Sequence, residues 1–234
     1  MTRQLIVNAD DFGQSAGVNR GVIEAHENGI VTSASLMVRW PDAADAARYA
    51  RLRPDLSLGL HADFAEWRYR DGTWTALYEV VSLDDERAIA EEASQQLERF
   101  RALVGGDPTH LDSHQHVHRS EPARTVLLEL AAALGVPLRH CVERIAYCGD
   151  FYGQTTDGRP LHEAISVDGL IRTVSQLSPG VTELACHPAS DEDIDSKYGP
   201  ERMLELQALC DARVRDAIAA AGIELRSFRS FRDR

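Results

Sequence analysis

Apolar residues along this chain recur in two rhythms that take turns. Leu5-Ile6-Val7 is a short continuous apolar run, as expected of a strand buried on both faces. Over residues 15–28 the apolar positions change to helical spacing at Val18, Val22, Ile23 and Ala25, and Gly29 follows as a stop. The same alternation then repeats. Residues 31–38 read as a second strand closed by Trp40-Pro41, and residues 42–52 as an alanine-rich helix broken before Pro54. Residues 56–61 read as a third strand that ends in His61. A long amphipathic helix over 84–104 stops at Gly105-Gly106, and a fourth strand runs into a histidine-rich segment at 110–118. Helix 121–134, strand 136–139, helix 164–177, strand 181–188, one long helix near 200–221 and a short strand at 223–226 complete the series. Two stretches, 62–82 and 140–163, are read as irregular, and a loop as long as the first usually has a function or acts as a lid.

Alternating strands and helices, with no linker composition and no internal repeat, predict one α/β domain over residues 1–234 with a parallel sheet. About seven strands favour a distorted (β/α) TIM-like barrel over an open sheet. Chemistry in such barrels gathers at the C-terminal ends of the strands. There the chain places Asp10-Asp11, His61, the segment His110-Leu111-Asp112-Ser113-His114-Gln115-His116-Val117-His118, and His187.

Each of these has a plain alternative. Asp10 and Asp11 suit the cap of the helix that starts near Ser15. His61 reads equally as a hydrogen-bonded core histidine, and His187, before Pro188, as a residue that merely closes its strand. The histidine segment is harder to explain away, because four imidazoles and a carboxylate within nine residues are costly to bury without a ligand. Two adjacent acids at the tip of a buried strand likewise call for a cation or a shared proton. Carboxylates and imidazoles on separate strand ends are the donor types of a divalent metal site with a position left for water.

Composition narrows the partners. The formal net charge of −12 argues against nucleic acid or an anionic membrane, both of which require a basic face. No apolar run approaches the length of a membrane span, and no leader-like segment precedes the first strand. Cys141, Cys148, Cys186 and Cys210 show no paired spacing and read as reduced thiols, so a cytoplasmic protein is expected.

The blocks Asn8-Ala9-Asp10-Asp11-Phe12-Gly13, Gly59-Leu60-His61, Asp112-Ser113-His114-Gln115-His116-Val117-His118 and Cys186-His187-Pro188 resemble the YdjC-like carbohydrate deacetylases. Val31-Thr32-Ser33 and Phe151-Tyr152-Gly153 are also similar to that family, and the motifs fall in the family's order across nearly the whole chain. The resemblance implies a hydrolase of linear amide C–N bonds that removes acetyl groups from an acetamido sugar with one divalent metal, Mg2+ or Zn2+. It implies Asp11, His61 and His114 as metal ligands, Asp10 as catalytic base and His187 beside the reacting group. Asp112, His116 and His118 would orient the ligands from behind. Arg39, Trp67 and Tyr152 are candidate substrate contacts; Arg39-Trp40 and the aromatic-rich stretch after His61 depart from the family pattern and leave the sugar open. Two other readings remain: a different barrel metallohydrolase, such as an amidohydrolase or phosphoesterase, and a sugar-binding relative without catalysis. Oligomeric state is open, and a homodimer is compatible with the resemblance.

Overall fold

A computed structural model of the chain describes residues 2–70, 72–191 and 198–231. Strand β1 (Arg3–Phe12) leads to α1 (Ala16–Glu27), β2 (Ser33–Leu36), α2 (Ala43–Arg51) and β3 (Ser57–Ala62). Strands β4 (Ala65–Arg70) and β5 (Thr73–Glu79) precede α3 (Glu86–Val104), β6 (Leu111–Ser113) and α4 (Ala123–Leu134). Then come β7 (Ile145–Cys148), α5 (Val167–Ser175), β8 (Gly180–Cys186), α6 (Gly199–Cys210), α7 (Ala212–Ala220) and β9 (Ile223–Arg226).

Seven strands form one sheet in the order β6-β3-β2-β1-β8-β7, with β9 also paired to β1, and every pairing is parallel. The α/β expectation and the strand number therefore hold. The barrel is a curled, open one. Strand β1 is its axis: β8 covers one edge from Arg3 to Ala9, while β9 and then β2 share the other edge. Having neighbours on both edges and α1 packed against it explains the apolar run, since Leu5, Ile6 and Val7 are fully buried. Parallel pairing also sends the C-terminal ends of all these strands to one rim.

Four expectations need correction. Residues 62–82 are not irregular: β4 and β5 form an antiparallel hairpin outside the main sheet. Its signal was present, because Ala65-Glu66-Trp67-Arg68-Tyr69-Arg70 alternates with period two and Asp71-Gly72 is a strong hairpin-turn pair. Tyr69 faces Trp74 across it with ring centres 5.3 Å apart, and Gly72 supplies a positive φ of 83°. Residues 136–139 do not form a strand and make one parallel bridge, Leu111 to Leu138, whereas β7 lies inside the stretch read as irregular. The long helix near 200–221 is two helices divided at Asp211, whose side chain accepts from the Arg213 amide to cap the second.

Gly59 in β3 shows how tightly the rim is packed. A Cβ there would stand 2.4 Å from His110 Nε2, and that ring lies stacked on Phe228 with centres 4.0 Å apart. Gly59→Ala should therefore lower stability by about 1–3 kcal/mol, the usual cost of forcing extra carbon into a packed core. Chemical denaturation is the check, and an unchanged midpoint would mean that the imidazole has room to move.

Candidate metal and catalytic site

The two acids reach the rim together because β1 breaks its own pleat. Adjacent strand residues normally point to opposite faces. Between Ala9 and Phe12 the β1–β2 register slips: Ala9 pairs with Ala34 and Phe12 with Leu36, so β1 carries one extra residue. That is a β-bulge, and Asp11 within it takes a left-handed φ of 64°. Asp10 and Asp11 consequently both line one cavity of about 480 Å³, together with His61, His114, His187 and Tyr152. Neither acid caps α1. Ser15 does that, accepting from the Val18 amide at 3.2 Å.

The acids have different surroundings. Asp11 Oδ1 faces His114 Nδ1 at 3.0 Å and His61 Nε2 at 3.4 Å, while its Oδ2 accepts from Arg202 Nη2 at 2.6 Å. Asp10 Oδ1 accepts from Arg139 Nη1 at 2.7 Å and Asn8 Nδ2 at 2.8 Å. Its Oδ2 points toward His187 Nε2, 3.8 Å away. Burial pushes the Asp10 carboxyl up, but Arg139 and His61 outweigh it and hold the group below its usual range. Burial acts on Asp11 in the same way, and Arg202 and His114 hold it well below that range. Both acids are therefore ionised at neutral pH.

His61 is aimed from behind. Its Nδ1 lies 2.8 Å from Asp112 Oδ1, and Asp112 Oδ2 accepts from Ser35 Oγ at 2.7 Å and from Arg139. Burial would push the His61 imidazole down, yet Asp112 and Asp11 raise it well above its ordinary value. His114, also pushed down by burial, is raised to about 9 by Asp11. One nitrogen of each ring and an Asp11 oxygen lie within 4.8 Å of one another. The electrostatics that draw a proton to these rings favour a metal cation equally, so the donor set fits a divalent ion.

The other expected residues divide. Asp112 does orient His61. His116 and His118 do not orient the ligand rings: His118 bonds Ser113 Oγ and the Arg139 carbonyl, and His116 faces Tyr147. Arg39 stays out of the cavity, because its guanidinium pairs with Glu92 at 2.9 Å and approaches Asp63 at 3.8 Å. Trp67 lines an adjoining cavity of about 330 Å³ with Trp74, Tyr69 and Tyr152. Tyr152 belongs to both cavities and stacks on Tyr198, ring centres 4.6 Å apart.

The family model described as YdjC-like protein matches residues 4–220. The chain belongs to the YdjC-like family. Among its relatives, the carbohydrate deacetylase of Geobacillus stearothermophilus is 34% identical, with 99% of both chains covered. The chitooligosaccharide deacetylase of Serratia marcescens is also 34% identical, over 97% of this chain and 99% of that one. A crystal structure from Enterococcus faecalis V583, provisionally assigned to cellobiose-phosphate cleavage, superposes with a TM-score of 0.79 at 26% identity, covering 99% of this chain and all of that one. Among the described residues, no helix of this YdjC-like chain is long and apolar enough to cross a membrane.

Sequence reasoning passed over several buried charges that surround the site in this YdjC-like fold. Arg139 is one; Glu183, Arg202 and Glu205 are the others. Glu183 could have been noticed as a carboxylate inside the apolar strand Val181-Thr182-Glu183-Leu184-Ala185-Cys186. Its Oε1 accepts from Arg139 Nε at 2.8 Å. Arg139 thus joins Asp10, Asp112 and Glu183, all buried. Arg139→Met should destabilise the fold by about 3–5 kcal/mol, because it strands buried carboxylates without their partner. Urea unfolding measures it; a loss below 1 kcal/mol would show that the carboxylates find other partners.

Proposed function

We propose that the chain is a metal-dependent N-deacetylase that hydrolyses the acetamido group of a sugar or sugar conjugate. One observation carries this reading: the bulge in β1 sets two aspartates side by side, Asp11 against His61 and His114 and Asp10 with one oxygen turned toward His187. Membership of a family whose relatives are named for carbohydrate deacetylation supports the substrate class. Asp11, His61 and His114 would hold one divalent ion; imidazole donors favour Zn2+, and Mg2+ remains compatible with the carboxylate and open positions. The ion would supply Lewis-acid polarisation of the acetyl carbonyl and a more acidic attacking water.

The protein's own groups account for the proton movements. Asp10 Oδ1 is committed to Arg139 and Asn8, which leaves Oδ2, on the His187 side, to accept the proton of the attacking water. As the water oxygen bonds to the carbonyl carbon, the C–N bond breaks and the departing amine must gain a proton. His187, in the same cavity, is placed to give it. Its main-chain N–H donates to Glu205, and its Nδ1 lies 3.9 Å from Glu205 Oε1, so one carboxylate holds this end of β8 in position. Tyr152, Trp67 and Trp74 offer aromatic faces where the rest of a sugar would lie.

Acetate release from a panel of N-acetyl sugars, with and without chelator, tests the reading; no release from any sugar by the metal-loaded protein would sink it. Three variants test the roles. Asp10→Asn should keep its metal while turnover falls by roughly 10²–10⁴. Asp11→Asn should lose metal, and the opposite pattern would exchange the two roles. His187→Ala should spare metal content and cut amide hydrolysis far more than hydrolysis of an activated ester, whose leaving group needs no proton. Equal losses on both substrates would assign His187 to positioning instead.

A further inference from the structure

We propose that His116, His118 and His140 form a second cation site, distinct from Asp11, His61 and His114, that takes one late first-row divalent ion such as Zn2+ or Ni2+. Each of the three rings offers a nitrogen within 4.8 Å of the other two. Their centres are 4.7, 5.7 and 5.9 Å apart. Three imidazoles bound to one tetrahedral ion at about 2.0–2.1 Å have centres roughly 5 Å apart, so small ring movements suffice.

Two ring nitrogens of this triad have no partner within the fold. His116 Nδ1 and His140 Nε2 are buried and make no hydrogen bond, which is costly for polar atoms held away from water. His118 is the third ligand. Its Nε2 lies 3.1 Å from the Arg139 carbonyl and its Nδ1 2.7 Å from Ser113 Oγ. On binding, Nε2 exchanges the carbonyl for the ion, the proton resides on Nδ1, and Ser113 keeps the ring oriented as an outer partner does in metal sites. The backbone agrees. Asp11, Gln115, His116 and His140 are the non-glycine residues with positive φ among those described, and two of the four belong to this triad. Such conformations are sparsely populated and gather at functional positions.

The ligand class follows from the donors and their depth. Three imidazoles with no carboxylate suit zinc, nickel or copper better than magnesium or calcium. His116 lines the large cavity, whereas His118 and His140 do not reach it. The nearby charge of Arg139 is balanced by Asp10, Asp112 and Glu183. The inference does not rest on the deacetylase reading.

Equilibrium dialysis of the metal-stripped protein against excess Zn2+ or Ni2+, with bound metal read by mass spectrometry, tests it. Wild type should hold two ions per chain, and His140→Ala and His140→Gln one each. With Mg2+ alone wild type should hold no more than one. His114→Ala, which breaks only the Asp11 set, should still retain one Zn2+. Two ions in both His140 variants would overturn the second site. So would one ion in wild type that His140→Ala leaves in place, a result that keeps the Asp11 set intact. If circular dichroism shows that the His140 variants do not fold, His114→Ala decides alone, and a folded His114→Ala chain without Zn2+ overturns the proposal.

Discussion

One buried guanidinium sets the terms for the whole rim. Arg139 touches Asp10 from β1, Asp112 from β6 and Glu183 from β8, three strands of which β6 and β8 are not neighbours in the sheet. It therefore works like a spoke across the curled sheet. Its own backbone is pinned as well, with the amide donating to Leu111 and the carbonyl facing His118. Burying one cation among carboxylates costs more in desolvation than a single ion pair returns, and such an arrangement is stable only when its hydrogen bonds are well met. Ser35 and Asn8 meet part of that requirement: Ser35 bonds Asp112, and Asn8 bonds both Asp10 and Ser35.

The adjacent acids follow from the same logic. Two carboxylates at one strand tip repel each other, and the fold resolves this by giving each its own arginine, Arg139 for Asp10 and Arg202 for Asp11. The bulge makes that possible, because it turns Asp11 into a left-handed conformation and so separates the two sets of partners. Each acid keeps one oxygen fixed and one turned to the site. Asp11 turns Oδ1 to the imidazoles, and Asp10 turns Oδ2 to His187. The difference in role proposed for them rests on this difference in wiring, which two identical side chains next to each other in sequence do not reveal.

That limit marks what the sequence made legible. Parallel strands rich in branched apolar residues announce themselves, and their ends locate Asp10, Asp11, His61, His114 and His187 at one rim. What stays hidden is set by contacts far apart in the chain. Arg139 and Arg202 look like ordinary surface cations until the sheet brings Asp10 and Asp11 to them, 129 and 191 residues away. Arg39 is the converse case: its departure from the family pattern makes it a candidate substrate contact, and in the fold its guanidinium pairs with Glu92 and approaches Asp63. The hairpin is masked for a local reason. Aromatic residues interleaved with charges read as a loop, although the same alternation is the period of a two-sided strand pair.

The hairpin also explains how one rim can combine a fixed reaction centre with a variable wall. It lies outside the main sheet, with β5 largely exposed and β4 half-buried beneath it. At the hairpin's base Asp63 accepts from Trp40 and Tyr78, which ties it to the scaffold. Farther out, Gln115 exchanges two hydrogen bonds with the Trp67 main chain, at 2.8 and 2.7 Å. Gln115 follows His114 directly, so the aromatic wall is joined to the loop that carries a proposed ligand through one side chain. The proposed metal ligands, by contrast, stand on β1, β3 and the end of β6, held by strand pairing, by Arg202 on Asp11 and by Asp112 behind His61. Substitutions of the Trp67, Tyr69 and Trp74 side chains therefore reshape the adjoining cavity without touching Arg139 or Arg202, the cations that hold Asp10 and Asp11. In the proposed deacetylase, a scaffold divided in this way would let the sugar vary while the reaction stays the same.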